Sequence, residues 1–580
     1  MEFRTADEVR HSLFSSEALG DDSSDEENFV ENHEIDIKEF DIKQEYEDED
    51  EDEDPLEIEE ENKNGEAASI NLEQDDQRLF IYGRNMYKWY LEPPEIRDQR
   101  SNIVPQFPGP KYNAMNAFSP LNIWLLLFTN QMIDMIVHHT NEEIERQQTA
   151  QVSSNTNEQT FTKKTTATEI KAFIGLLYFA GVKKDNTATV DELWSTDFGY
   201  TVFRATMSGR RFQFLAARLR FDDKNTRAER QKDDLLAPIR DLWNQFIHNC
   251  MSNYTPTQEM CIDEMMFGFG GKFKAKVYTN SKPHRSGIKI MCLNDAQTYY
   301  LYNALPYTGK IDTLADESAT SYYVRTLCEP IYGTNRNVTC GDKFSSVEIF
   351  DKMLNEYLLT MVGKVKKSEG HLPKSFKKTT PVGTARYVYD TTKTLLSYCP
   401  KRNEVMLLLS SLHRKENTFI SSKPEIVEYY NETKGGTERF VQLCDLYTCA
   451  RSTRRWSMRF FTGMLDQAAV NSGILFNFFS KNNTKDRRQF IKELSLALII
   501  PYLKERIQLP GLQSDVKSCI IKLIGEYNTV AVKKQDKLLK RKRCSLCPTR
   551  YDRKVTLCCY ECGSTICGEH RRIMCTQCVP

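Results

Sequence analysis

This sequence has no apolar leader and no apolar run long enough to span a membrane. It opens on Met1-Glu2-Phe3-Arg4, whose charges remove the secretory-signal reading. The longest apolar candidate, Leu494 to Leu503, is interrupted by Pro501. It falls well short of the roughly 20 residues that a spanning helix needs. Metal-type cysteine spacing is missing from most of the chain. Nine of the 17 cysteines lie between Cys250 and Cys519 without ligand spacing, and they read as buried thiols. Net charge is almost absent as well, at -3 from 78 Lys and Arg against 81 Asp and Glu. What remains is a soluble chain of 580 residues, 40% hydrophobic and 27% charged, which should hold several domains.

The small net charge hides a segregation. Residues 1–77 form a strongly acidic region, and from Glu45 to Glu61 the sequence is almost unbroken Asp and Glu. Such a run repels itself and buries no core, so disorder is expected there. The rest of the chain is basic, which suits a polyanionic partner such as double-stranded DNA. A second charge block runs from Lys533-Lys534 through Lys537 to Lys540, Arg541, Lys542 and Arg543. It reads as a phosphate-contacting linker and a nuclear localisation signal.

Directly after that block the missing cysteine pattern appears. Cys544 and Cys547, Cys559 and Cys562, Cys567 and His570, and Cys575 and Cys578 make four pairs with the same two-residue gap. That gap lets both side chains of a tight turn reach one tetrahedral Zn²⁺. In a cross-braced module the first and third pairs hold one structural Zn²⁺, and the second and fourth hold another. In a reducing compartment metal is favoured over disulfide. A module of this size needs its metal to fold. Arg571 and Arg572 add positive charge within it.

The body divides by texture. Residues 78–115 read as an irregular lead-in broken by prolines. Leu121, Trp124, Leu125, Phe128, Met132, Ile133 and Ile136 recur at helical spacing. After a polar loop from Glu142 to Thr165, a helix is expected over Ala167–Ala180, and residues 116–255 read as all-helical. From Glu259 strands take over: Met260–Met266, Lys289–Leu293, Thr298–Tyr302 and Asn337–Cys340. A helix is expected over Ser346–Leu359, then strands and loops over 362–425, then helices from Gly436 to Tyr502. An Asp on the first strand, an acid after a later strand and an acid on a helix is the order in which a ribonuclease-H-like nuclease builds its site. Two-metal phosphodiester chemistry needs such converging carboxylates.

Specific stretches resemble the piggyBac-type transposases. Ile262-Asp263-Glu264 with Phe267-Gly268-Phe269-Gly270-Gly271-Lys272 is similar to the family's first aspartate strand and glycine turn. Ser281-Lys282-Pro283 through Ser286-Gly287-Ile288-Lys289, Tyr307-Thr308-Gly309-Lys310, Val338-Thr339-Cys340 and Phe344-Ser345-Ser346 follow in the family's order. So do Tyr429-Tyr430-Asn431, Lys434-Gly435-Gly436, Arg455-Trp456 and the cysteine array. The resemblance runs from about residue 78 to Pro580.

It implies an α+β multidomain fold with an RNase-H-like core. The helical dimerisation and DNA-binding domain would be 116–255, and the core 256–365 and 431–527, split by an insertion at 366–430. A basic linker (528–543) and the double-zinc domain (544–580) would follow. It also implies a nuclear homodimer that cuts and pastes DNA at TTAA sites with Mg²⁺ held by aspartates.

The acids depart from the family's pattern. Asp263 matches the first aspartate, but the second position is Gly341, with Asp342 one residue late. The third is Glu438 and the fourth is Val441, which reads as a core-facing helix residue. The expectation is a DNA-binding protein of transposase ancestry whose strand cleavage is weakened or lost. The competing expectations are a working transposase using Asp263, Asp342 and Glu438, and a chromatin or protein reader built on a PHD- or RING-like zinc module. For Asp342 to serve from a strand, Gly341 would have to open a bulge, because a one-residue slip turns a side chain to the other face.

Overall fold

The computed structural model describes residues 78–93, 104, 106–152, 160–279, 284–309, 317–416, 423–478, 485–532, 537–545, 547–557, 565 and 567–570. The chain forms two compact units. The first comprises residues up to Lys111, Thr226–Leu446 and Ser452–Asp486; the second comprises Tyr112–Asn225, Tyr447–Arg451 and Arg487 onward. The acidic region before residue 78 lies outside the described residues.

The first unit is built on one eleven-stranded sheet. Its strands are β1 (Phe80–Tyr82), β2 (Lys88–Tyr90), β3 (Glu259–Gly268), β4 (Val277–Tyr278), β5 (Ser286–Asp295) and β6 (Leu301–Pro306). They continue with β7 (Asn337–Cys340), β8 (Thr360–Lys364), β9 (Ala385–Tyr389), β10 (Thr394–Tyr398) and β11 (Met406–Ser410). At its centre β3, β7 and β8 run parallel, with Ile262 opposite Cys340 and Thr339 opposite Val362. On the other side of β3, β5 and β6 pair antiparallel. β5 is buried at nine of ten positions, so it reads as a continuous apolar run rather than an alternating strand.

The lead-in is not wholly irregular. β1 and β2 form a hairpin whose Phe80 and Trp89 are buried, and β2 joins β9. Its prolines lie outside the two strands, so they do not break the ladder. The strands β9, β10 and β11 of the expected insertion region continue the sheet, since β11 pairs with β8.

The unit's labelled helices are α1 (Ala319–Cys328), α2 (Val347–Asn355), α3 (Glu425–Thr433), α4 (Gly436–Leu446) and α5 (Trp456–Phe478). α5 is buried at 20 of its 23 positions, all from Met458 to Phe478 except Arg459. Its Gly463 lies so close to Phe267 of β3 that a Cβ would fall 2.4 Å from the ring. Ile426, Val427 and Tyr430 of α3 pack on Val362, Leu396 and Leu408 of the sheet.

The second unit is helical. Its first amphipathic pattern breaks into Pro120–Leu127 and Asn130–Val152, bent by 67°. Ser119 caps the first helix, and Thr129 accepts from the Met132 amide at the start of the second. The second helix runs through the expected polar loop as far as Val152. Glu143 explains part of this, because it is buried and held by Arg146, Arg220 and Lys224. In the core, Glu169 accepts from Arg211 at 2.6 and 2.9 Å and from Tyr502 at 2.9 Å. Among the described residues no single helix is long and apolar enough to cross a membrane.

Candidate active site and candidate metal centre

Asp263 sits in the middle of β3, half-buried, on the same face as Cys261 because strand side chains alternate. That face is the one α4 covers. Gly436, which opens α4, would bring a Cβ to 3.0 Å from the Cys261 Cβ. The Cys261 thiol donates to the Lys434 carbonyl at 3.0 Å, and Thr437 reaches Asn294 of β5 at 3.0 Å. Only glycine allows the helix to start this close to the strand. Glu438 follows in the first turn of α4 and is exposed. Val441 is half-buried and not in the core, so the core-facing expectation is corrected. It lies one turn beyond Glu438, on the same side of the helix.

The strand pairing locates the missing acid. Ile262 and Cys340 are the last partners of β3 and β7, so Asp263 and Gly341 come next at one level. Gly341 has φ -75° and ψ 177°, and a Cβ there would meet nothing within 4 Å. The position is open on the Asp263 side and carries no ligand.

Asp342 does not lie on the strand. β7 ends at Cys340, and Asp342 begins a single 3-10 turn, Asp342–Phe344. The bulge considered from the sequence is therefore not what sets its direction, since strand alternation has already ended. Its field reaches the same groups as that of Asp263. Burial raises Cys340 to about 12, and Cys261, Asp342 and Asp263 add to the rise. Burial also raises Tyr430, again with contributions from Asp342 and Asp263. Tyr430 belongs to α3, and the neighbouring Thr433 bonds Thr339 of β7 at 2.7 Å. Asp263 on β3 and Asp342 in the turn after β7 thus both influence Cys340 and Tyr430.

These residues fit a Mg²⁺ site in donor chemistry. Mg²⁺ takes hard oxygen ligands, one or two from carboxylates and the rest from water and substrate phosphate. Half-buried Asp263 and Asp342 and exposed Glu438 leave room for both.

On the opposite face, Glu264 is 11% exposed and lies between two lysines. Lys289 Nζ is 3.4 Å from Oε1, and Lys343 Nζ is 3.3 Å from Oε2. Sequence reading singled out the Asp263–Glu264 pair but not Lys343, because the lysine is distant in sequence and follows no metal or helical spacing.

The second candidate centre gathers Cys544, Cys547 and Cys567, whose sulfurs lie within 4.8 Å of one another. A two-stranded ladder, β12 (Lys537–Arg543) with β13 (Lys554–Leu557), holds the first cysteine in place. Cys544 N donates to Arg553 O at 2.9 Å, and Ser545 N to Thr565 O at 2.8 Å. The second bond ties the first cysteine turn to the segment carrying Cys567. Cys547 and Cys567 sulfurs are 3.7 Å apart. Ligands on tetrahedral Zn²⁺ with Zn–S near 2.3 Å stand about 3.8 Å apart, so the thiols fit.

The structure thus brings together members of the first and third pairs. His570 ends the turn Gly568–His570. Cys559, Cys562, Cys575 and Cys578, with Arg571 and Arg572, lie outside the described residues. Lys540, Arg541, Lys542 and Arg543 lie on β12, and the last three are exposed.

Two comparisons bear on this geometry. A family model described as Transposase IS4 matches residues 119–473. Among solved structures, a cryo-EM structure of a piggyBac transposase synaptic complex with hairpin DNA is similar at 33% identity. The match covers 82% of this chain and 100% of that chain, with a TM-score of 0.69.

Proposed function

Because the chain belongs to the piggyBac-type transposase family, we propose that it is a transposase-like DNA-binding protein that recognises transposon-end-like duplex DNA and whose strand cleavage is weakened or lost. One observation carries the second half of that reading: the position level with Asp263 is Gly341, open and without a ligand. The first half is supported by the family, by the similar structure with hairpin DNA, and by the exposed cations on β12.

The core is RNase-H-like on this reading. The order β6-β5-β3-β7-β8, with β3, β7 and β8 parallel and β5 antiparallel, supports it. Asp263, Asp342 and Glu438 would hold Mg²⁺. The ion supplies activation of a water or 3′-hydroxyl and stabilisation of the leaving oxygen. On this reading Asp263, Asp342 and Glu438 would present their carboxylates to one patch that receives the phosphate. Cut-and-paste movement at TTAA is the reaction such a site serves. A fully working enzyme using Asp263, Asp342 and Glu438 is the second reading, favoured by the presence of an acid, Asp342, in the turn directly after Gly341.

Cys544, Cys547, Cys567 and His570 hold one structural Zn²⁺ on this reading, and Cys559, Cys562, Cys575 and Cys578 a second. Lys540, Arg541, Lys542, Arg543, Arg571 and Arg572 contact phosphates. The protein acts in the nucleus as a homodimer. Titration of the full chain with an end-sequence duplex across salt concentrations tests DNA recognition. Affinity should fall steeply as salt rises, because cation–phosphate contacts release counterions. Salt-independent or absent binding would favour the protein-reader alternative.

A further inference from the structure

Asp342 and Lys343 are neighbours in the 3-10 turn that follows Gly341. The turn is closed on itself: Phe344 N donates to Gly341 O at 3.0 Å, and Ser345 Oγ donates to the same oxygen at 3.1 Å. Cys340 of β7 contacts Phe344 O at 3.6 Å and Ser345 Oγ at 3.2 Å, and Lys343 ties the turn to β3 through Glu264 at 3.3 Å. Glu264 is a firm anchor. Its other oxygen is held by Lys289 on β5, and both of those side chains are about a tenth exposed. Glu264 follows Asp263 on β3, so the two carboxylates project from opposite faces of one strand.

We infer that the Lys343–Glu264 ion pair is a positioning device that holds the turn so that Asp342 supplies the carboxylate absent at position 341. The inference rests on the acid-set reading above. Exposed ion pairs contribute little to stability as a rule. This one has its anionic partner already fixed, so its effect is on direction more than on folding. Groups that orient metal ligands from behind typically change metal affinity by about 10- to 100-fold when removed.

The sign of the effect separates this from simple electrostatics. Removing a cation beside a metal site should strengthen cation binding if charge alone matters. Removing a positioning residue should weaken it. The probe is Fe²⁺ in Mg²⁺-free buffer with ascorbate and peroxide, on the full chain. Backbone cleavage near residues 263 and 342 is mapped by mass spectrometry, which excludes metal held elsewhere.

The native chain should cleave locally, Mg²⁺ should compete, and Asp263→Asn should abolish the cuts. Lys343→Met should raise the half-maximal Fe²⁺ concentration about tenfold, with the melting temperature unchanged. Lys343→Arg should restore it. So should Gly341→Asp in the Lys343→Met background, because an acid directly after β7 and level with Asp263 no longer depends on the direction of Asp342. Cuts that need Asp263 but persist or strengthen in Lys343→Met would overturn the inference alone. No local cuts in the native chain would overturn the acid-set reading and this inference with it.

Discussion

Gly341→Asp is the most informative single change, and its energetics follow from the structure. The backbone there has an ordinary φ of -75°, and a Cβ meets nothing within 4 Å. Steric cost is therefore near zero, and replacing glycine restricts the unfolded chain, worth about 0.4–1 kcal/mol in favour of folding. Charge opposes this. Neighbouring strands lie about 4.8 Å apart, so the introduced carboxylate and that of Asp263 repel by roughly 1–3 kcal/mol at effective dielectrics between about 80 and 20. Without divalent ion the variant should be less stable than the native chain by about 0–3 kcal/mol.

Mg²⁺ should reverse the order, because an ion between two carboxylates turns the repulsion into ligation. Thermal melts in chelator and in Mg²⁺, for native chain and variant, give the four values needed. A larger Mg²⁺-induced rise in the variant supports the reasoning. Equal rises in both, with no penalty in chelator, would show that position 341 does not face Asp263.

Other outcomes follow from named contacts. Removal of metal by chelator, or Cys544→Ser, should unfold the region from Cys544 to the C-terminus, seen as Zn²⁺ release and lost DNA affinity with the β-sheet unit still folded. Glu143 gives a pH test. Burial works to raise its carboxyl, but the Gln147 amide, Arg220 and Lys224 outweigh it and bring it down to about 2. Its folded value is below its unfolded one, so its contribution is present above about pH 4.5 and lost as pH falls toward 2. Glu143→Gln should therefore cost on the order of 1–3 kcal/mol at pH 7 and converge with the native chain in acid. A constant gap across pH would refute the assignment. Gly436→Ala should shift α4 away from β3, because its Cβ would sit 3.0 Å from Cys261 and 3.2 Å from the Ala296 Cα. A loss of about 1–3 kcal/mol is expected by denaturant titration.

The sequence was most readable where periodicity and local chemistry act alone. The run Asn337–Cys340 matched its strand residue for residue, since all four positions are buried between parallel neighbours. Ala167–Lys183 extended its expected helix by three residues to a left-handed cap at Lys184. The β1–β2 hairpin was missed because three-residue strands carry no period, and they are held by β9, about 300 residues away in sequence. At the site, the family resemblance pointed to Asp263, Gly341 and Glu438. It could not show that β7 stops at Cys340, because that depends on bonds among Gly341, Phe344 and Ser345. The face argument for Asp342 assumed a strand where the chain had already turned. The metal-type spacing of the cysteines pointed to ligand pairs, and the contact between the Cys544 and Cys567 segments came from the Ser545–Thr565 bonds.

The central claim is that DNA recognition survives while cleavage is limited by the acid missing beside Asp263. Single-turnover nicking of an end-sequence duplex in Mg²⁺, at protein concentrations that saturate binding, tests it most directly. The native chain should bind and nick slowly. Gly341→Asp with Asp342→Asn and Glu438→Asp should bind equally and nick faster by orders of magnitude, because metal ligation contributes several kcal/mol at the reacting oxygens. Rapid nicking by the native chain that Asp342→Ala abolishes, with no gain in the triple variant, would contradict the account.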